Sequence, residues 1–172
     1  SLYQKILLGF MVPILTMIIF ATYSIKEISQ IKDVNMENQV KAFKRYQEAQ
    51  AMKFATVQIQ QWLTDISATR GLDGLNDGLD EAKKHFDSFF VHLNTLSDLF
   101  LADGRGEESR SVLSLGETVK TYYEVGKEMA QGYIEGGPGM GNKIMGKFDG
   151  ASESLQNHLN PLLEESFKEY NM

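Results

Sequence analysis

The sequence predicts an all-α protein, an antiparallel up-down-up-down four-helix bundle preceded by an N-terminal transmembrane helix. Three observations lead to this fold class. Apolar residues recur at three- and four-residue steps along most of the chain. The 172 residues include only three prolines, and no stretch shows the regular alternation of a strand. Clusters of glycine divide the polar part of the chain into four segments of helical length.

The first element is an uncharged apolar segment at residues 6–25, which reads ILLGFMVPILTMIIFATYSI between Lys5 and Lys26. About twenty such residues match the thickness of a bilayer core at ~1.5 Å per residue. Residues 1–25 are therefore predicted to form a single transmembrane helix. A cleaved signal peptide and a wholly buried soluble helix are the alternatives. The signal peptide is disfavoured because no A-x-A-like site precedes Lys26.

The second element is a long helix from Lys26 to Arg70, a range that contains neither proline nor glycine. A break near DVNMEN, giving two stacked helices, is the alternative. Gly71 supplies a C-terminal stop. Residues at helical spacing form the apolar stripe of this helix: Met52, Ala55, Ile59, Trp62, Ile66 and Thr69.

Two further helices are predicted, each after a connection that contains glycine. The first runs from about Leu79 to Ala102, after the loop GLDGLNDG. The next runs from about Glu107 to Ile134, after the short turn DGRG. Both have large apolar residues at helical spacing, so each is expected to turn one face toward a common core.

The stretch GGPGMG at residues 136–141 is predicted to be the last turn, because Gly-Gly-Pro-Gly does not continue a helix. A fourth helix is expected from about Asn142 to the end of the chain, kinked or split at Pro161. In the predicted bundle this turn and GLDGLNDG lie together at the end far from the membrane, and DGRG lies at the near end. The chain opens with Ser1 and closes within a helical run, so we expect a fragment of a longer protein.

Composition and motifs argue against several classes of function. GGPGMGNK has the glycines of a phosphate-binding loop, but Asn142 follows the second glycine where lysine is needed, and no strand precedes it. The net charge of −6 disfavours a nucleic-acid partner. The absence of cysteine excludes disulfides and thiolate metal sites. No nucleophile elbow or zinc-binding H-E-x-x-H occurs, so we do not expect an enzyme.

The three histidines raise the alternative of a haem- or metal-binding bundle. His85 and His92 share one face of the second bundle helix, and His92 is expected at a depth similar to that of His158. Two histidines at one depth would suit a bis-histidine haem. The sequence lacks the C-x-x-C-H of attached haem and the Glu-x-x-His of di-iron bundles. We therefore predict no cofactor and no metal site.

The anchor and the runs VQIQQWLTDISATRG, YYEVGKEMAQGYIEGG and GNKIMGKFD resemble the sensor region of bacterial methyl-accepting chemotaxis receptors. The resemblance implies a periplasmic sensor domain over residues 26–172, anchored in the cell inner membrane and paired as a homodimer. It also implies that a small solute, such as an amino acid or organic acid, binds near the distal end and displaces a helix. The sensor domain of a histidine kinase or cyclase is the alternative.

The first candidate ligand-binding residues lie at the end of the long helix. The planar guanidinium of Arg70 suits a ligand carboxylate, although it would also complement the helix dipole or pair with Asp73. Trp62 is the only tryptophan, and a core or dimer-interface position is its alternative. Asp65 is expected to receive an ammonium group. Together with Arg70, a polar stripe at steps of three and four residues forms the predicted site: Trp62, Asp65, Thr69 and Asp73.

The remaining candidates lie on the third and fourth bundle helices: Tyr122, Tyr123, Tyr133 and Asn142. Tyr122 and Tyr133 share a face with Gly126, where the glycine either permits close helix approach or leaves space for a ligand. The tyrosines are alternatively core residues. Asn142 is alternatively the N-cap of the last helix.

Overall fold

The computed structural model describes residues 2–72, 75 and 77–171, without the side chains of residues 3–8, 10 and 12. These residues form four helices: α1 (Leu2–Thr69), α2 (Gly78–Ala102), α3 (Gly106–Gly136) and α4 (Pro138–Tyr170). No strand occurs within the described ranges. The predicted all-α class is confirmed. The chain divides into two units, Ser1–Val40 and Lys41–Met172.

The first unit consists of the N-terminal part of α1. By length and composition this helix is apolar enough to cross a membrane, and none of its most apolar window is buried. The hydroxyl of Thr16 donates to the carbonyl of Pro13 at 2.8 Å, and that of Thr22 donates to Ile19 at 2.9 Å. Each hydroxyl therefore has a partner within the helix, as an apolar environment requires.

In the chain as described, α1 continues through DVNMEN without interruption, so the alternative of two stacked helices is not observed. The helix ends as predicted. The N–H of Arg70 donates to the carbonyl of Ile66 at 2.8 Å. Arg70 and Gly71 then have positive φ angles of 51° and 66°. A left-handed residue cannot extend a right-handed helix, so the chain leaves α1 at this point.

In the second unit, α1 contacts α2 in reverse sequence order. Glu48 Oε2 lies 2.7 Å from His92 Nδ1, and the rings of Phe54 and His85 are 6.2 Å apart. At the far end, Gly78 packs directly against Trp62 and Ile66.

The same order holds between α1 and α4. Tyr46 lies 5.5 Å from Phe167 between ring centroids, and Lys53 Nζ lies 3.3 Å from Asn160 Oδ1. Residues further along α1 therefore meet earlier residues of both α2 and α4.

The core lies between the four helices and includes most of the predicted stripe of α1. Met52, Ala55, Ile59 and Ile66 are buried. Across the core, the hydroxyl of Tyr122 donates to the carbonyl of Thr56 at 3.2 Å, which joins α3 to α1.

Gly126 of α3 brings three helices together in this core. A Cβ atom at this position would lie 2.5 Å from Leu63 Cδ1 and 2.6 Å from Phe148 Cε2. The glycine therefore permits close approach of α3 to α1 and α4, and the space that it leaves is filled by their side chains.

The turn between α3 and α4 is shorter than predicted. Only Gly137 separates the two helices, and α4 begins at Pro138 instead of near Asn142. Gly137 reverses the chain with φ 60° and ψ −155°, a conformation that is essentially restricted to glycine. Proline is favoured in the first turn because its φ suits a helix and its missing N–H needs no partner there.

Two expectations for α4 are corrected by these bounds. Asn142 lies inside the helix and is not its N-cap. Pro161 also lies inside α4, which continues to Tyr170, so the predicted split is wrong and the predicted kink stays a prediction.

An ion-pair cluster joins three segments at the end of the second unit that contains the DGRG turn. Arg45 of α1 is only 7% exposed; it binds Asp103, and its Nη2 lies 2.9 Å from Glu169 Oε2. Arg105 Nη1 lies 2.7 Å from Glu169 Oε1. Both guanidinium groups lie over the ring of Phe100, at 5.7 and 4.7 Å from its centroid. The turn is therefore fixed to α1 and to the last turns of α4.

Candidate functional site

A pocket of about 310 Å³ lies where α1 ends and α2 begins. Its volume is at the lower end of the range for small-molecule sites, ~300–1,000 Å³. It contains three of the residues predicted from sequence, on one face of α1. Its described lining is Trp62, Asp65, Ile66, Ala68, Thr69, Leu75, Asp77 and Gly78.

The packing of Gly78 determines the shape of this pocket. A Cβ atom at Gly78 would lie 2.9 Å from both Ile66 Cγ1 and the carbonyl oxygen of Trp62. Only glycine therefore allows the first turn of α2 to press against the last turns of α1. This contact holds the backbone of Asp77 beside the face of α1 that carries Asp65.

The charged groups of the described lining are both carboxylates. Asp65 and Asp77 are exposed at the mouth of the pocket, and no lysine or arginine is among its described lining residues. The hydroxyl of Thr69 adds a group that can both donate and accept. An ammonium group is therefore the complementary charge for this pocket, and a lone anion is not.

Trp62 forms part of the wall and is half-buried. Its indole Nε1 is buried and has no hydrogen-bond partner among the described residues. A buried donor left without an acceptor costs about 1–3 kcal/mol. A ligand oxygen that reached this nitrogen would supply the missing acceptor.

Arg70 is separated from this pocket. Its left-handed backbone directs the side chain toward the connection between α3 and α4, where Nη1 lies 3.3 Å from the Cβ position of Gly137. The first and third connections of the bundle therefore meet, as predicted, through Arg70 and Gly137. Arg70 is not among the described lining residues of the pocket. Asp73, predicted to continue the polar stripe, lies outside the described residues.

Tyr122 and Tyr123 are both buried in the core, where their rings pack against different helices. The ring of Tyr122 stacks on Phe148 with centroids 5.0 Å apart, and burial raises the pKa of its phenol. Tyr123 stacks on Phe86 at 4.3 Å, and its pKa is raised first by burial and then by nearby carboxylates. Lys127 Nζ lies 5.0 Å from the Tyr123 ring. Neither tyrosine is among the described residues of the pocket.

Tyr133 and Asn142 pair with each other. The hydroxyl of buried Tyr133 donates to Asn142 Oδ1, which fastens α3 to the first turns of α4. The ring packs directly on Gly141, where a Cβ would overlap it. This contact explains why position 141 is a glycine. The candidate residues of α3 and α4 are therefore not brought together with Trp62.

His85 and His92 contact α1, whereas His158 bonds within its own helix α4. His92 Nδ1 pairs with Glu48 of α1 at 2.7 Å, while His158 Nδ1 lies 2.7 Å from the carbonyl of Ser154 in its own helix. His85 packs edge-on against Phe54. Among the described residues, no group of three His, Asp or Glu side chains is placed to hold a metal ion.

Sequence reasoning missed Leu75, Asp77 and Gly78, which line the pocket together with the residues of α1. Their only signal was the loop sequence GLNDG ahead of α2. Comparison with protein-family models, curated proteins and solved structures finds no match to this chain. The functional argument therefore depends on the geometry of the molecule itself.

Proposed function

We propose that this chain is the sensor module of a membrane-anchored receptor of the chemotaxis type, which binds a small solute and transmits a helix displacement. The reversed contact order of α2 and α4 along α1 supports an antiparallel up-down-up-down bundle. The apolar N-terminal part of α1 supports a single membrane anchor. We propose that the anchor lies in the inner membrane, with the bundle in the periplasm. A histidine kinase or cyclase would use the same module with a different output.

The observation that carries the proposal is the pocket with two carboxylates at the end of α1. We propose that Asp65 and Asp77 receive the ammonium group of an amino acid or amine, beside the indole face of Trp62. Cations bind favourably over tryptophan rings. The site is in the helix that also contains the apolar segment, so a ligand that favours one packing of α1 against α2 would bias the position of α1.

A second copy of the chain is the proposed partner of α1. Six exposed residues recur at alternating steps of three and four, the spacing of a coiled-coil seam. Phe54 is 61% exposed and Val57 is 50% exposed, so a partner surface that covered them would remove apolar area from water. The stripe consists of Phe43, Gln47, Gln50, Phe54, Val57 and Gln61.

The proposal is tested by a thermal-shift screen of the full chain in detergent against amino acids, simple amines and carboxylic acids. A compound that binds only the folded state stabilises it by ~2.7 kcal/mol at a hundredfold excess over Kd. We expect ammonium-bearing compounds to raise the melting temperature, and Asp65→Asn to remove the shift. Asp98→Asn is the matched control, because it makes the same carboxylate-to-carboxamide change at an exposed residue of α2.

Arg70→Ala separates the two ligand chemistries. If Arg70 holds a ligand carboxylate, this variant weakens the binding of amino acids and leaves the binding of simple amines unchanged. A screen in which only compounds without an ammonium group bind, and in which Asp65→Asn binds them as well as the wild type does, would contradict the proposed site.

A further inference from the structure

A second cavity, of about 490 Å³, lies between α1 and α4 and shares no described lining residue with the pocket at the end of α1. It is an open groove with mixed chemistry, because amide, charged, aromatic and aliphatic side chains all contribute. Its lining is Tyr46, Gln50, Lys53, Asn160, Leu163, Glu164 and Phe167. We call it the α1/α4 groove.

The α1/α4 groove carries one cation and one anion. Among the described residues, neither Lys53 nor Glu164 has an ion-pair partner, and both are exposed. Lys53 Nζ lies 3.3 Å from Asn160 Oδ1, which places the ammonium group level with Asn160. Glu164 follows Asn160 by one helical turn, a rise of ~6 Å along α4. The groove therefore presents opposite charges about one helical turn apart.

Hydrogen-bond donors surround the cation. Gln50 Nε2 donates to the hydroxyl oxygen of Tyr46 at 2.6 Å, so the hydroxyl hydrogen of Tyr46 is available to another acceptor. Asn160 accepts from Lys53 through Oδ1, which leaves its NH₂ group to donate. A carboxylate in the groove would find two neutral donors in addition to the ammonium group of Lys53.

The remaining wall is apolar. Leu163 is buried beneath the groove, and the rings of Tyr46 and Phe167 are tilted at 49° with centroids 5.5 Å apart. Phe167 is 50% exposed, so a ligand side chain that covered it would remove apolar surface from water. Gln50 also belongs to the exposed stripe of α1, so the groove flanks the proposed dimer contact.

We propose that the α1/α4 groove binds a zwitterionic α-amino acid with an apolar side chain. The ligand carboxylate pairs with Lys53, its ammonium group pairs with Glu164, and its side chain covers Phe167. The ammonium and carboxylate groups of the ligand, with one hydrogen bond from each to the protein, span about one helical turn. This is about the distance that separates the charges of Lys53 and Glu164. This site is additional to the pocket at the end of α1, where both charges are negative.

The test uses three ligands with the same aromatic group, titrated calorimetrically into the full chain in lipid nanodiscs. L-Phenylalanine carries both charges, phenethylamine lacks the carboxylate, and 3-phenylpropionate lacks the ammonium group. Because the protein charges are exposed, we expect L-phenylalanine to bind tighter than each analogue by about threefold to tenfold. Lys53→Met should remove the preference over phenethylamine only, and Glu164→Gln the preference over 3-phenylpropionate only.

Asp65→Asn distinguishes this site from the pocket at the end of α1. If the groove binds the ligand, both preferences persist in Asp65→Asn. If L-phenylalanine does not bind, or if its preferences survive in Lys53→Met and Glu164→Gln, the groove proposal is wrong. Loss of both preferences in Asp65→Asn would also overturn it, and would place the ligand in the pocket of the proposed sensor.

Discussion

The close packing around Gly126 gives a prediction whose magnitude follows from the structure. Gly126→Ala adds a methyl group 2.5 Å from Leu63 Cδ1 and 2.6 Å from Phe148 Cε2. Both side chains are fully buried, so neither can move aside into solvent. Gly150→Ala is the matched control, because it adds the same methyl group within α4 with nothing closer than 4 Å.

The two variants differ only in the overlap. Alanine stabilises a helix interior by ~1 kcal/mol relative to glycine, and both variants gain this amount. Overpacking of a core costs about 1–3 kcal/mol. We therefore expect Gly150→Ala to raise the free energy of unfolding by ~1 kcal/mol. Gly126→Ala should lie about 1–3 kcal/mol below that control.

Urea denaturation of the full chain in detergent, followed by circular dichroism, measures this difference. Equal stabilisation by the two substitutions would refute the packing of α3 against Leu63 and Phe148. Since Leu63 directly follows Trp62 in α1, such a result would also remove the support for the inner wall of the pocket at the end of α1.

Three further predictions concern the ion-pair cluster, the buried phenol and the last turn. Arg45→Met removes the buried cation that joins Asp103 to Glu169, which still pair with Lys41 and Arg105, and should lower the free energy of unfolding by roughly 2 kcal/mol. Lys83→Met, in an exposed pair, should change it by less than ~0.5 kcal/mol in the same urea titration. Tyr122→Phe should cost ~1 kcal/mol at neutral pH by removing one hydrogen bond. Burial raises the pKa of Tyr122, so the wild type keeps its extra stability over Tyr122→Phe at every pH below the unfolded pKa of ~10. Above that pH the difference in the free energy of unfolding falls by up to ~1.4 kcal/mol per pH unit. If the free energies of unfolding of the two proteins changed in parallel with pH, Tyr122 would not be buried. Gly137→Ala should lower the free energy of unfolding by about 1–3 kcal/mol, because alanine is strained at the φ and ψ of this position. Gly139→Ala, which adds a methyl group in open space, should stabilise the protein slightly. Similar melting temperatures for the two variants would contradict the turn geometry.

Helical periodicity predicted the part of the fold that depends on burial. The stripe of α1 was recognisable because Met52, Ile59 and Ile66 recur at the spacing that turns side chains toward one core. The same spacing predicted that Trp62 and Asp65 share a face, and the structure places both on one pocket.

The turns could not be predicted from periodicity, because they depend on individual backbone angles. GGPGMG suggested a six-residue break, yet one glycine with positive φ reverses the chain and Pro138 then starts a helix. Arg70 is predicted to stand at the end of α1, above the polar stripe. Its φ of 51° instead directs it toward Gly137. Asp77 lines the pocket because Gly78 packs closely against α1, a contact that helical periodicity does not indicate.

Fluorescence of Trp62 tests the central claim most directly, because this residue is the only tryptophan and it lines the pocket at the end of α1. The full chain is titrated with an ammonium-bearing compound that raises its melting temperature. The proposed site predicts a saturable change in Trp62 emission that is absent in Asp65→Asn and retained in Asp98→Asn. A compound that stabilises the protein without changing Trp62 emission, and that binds Asp65→Asn with unchanged affinity, would contradict ligand sensing at this pocket.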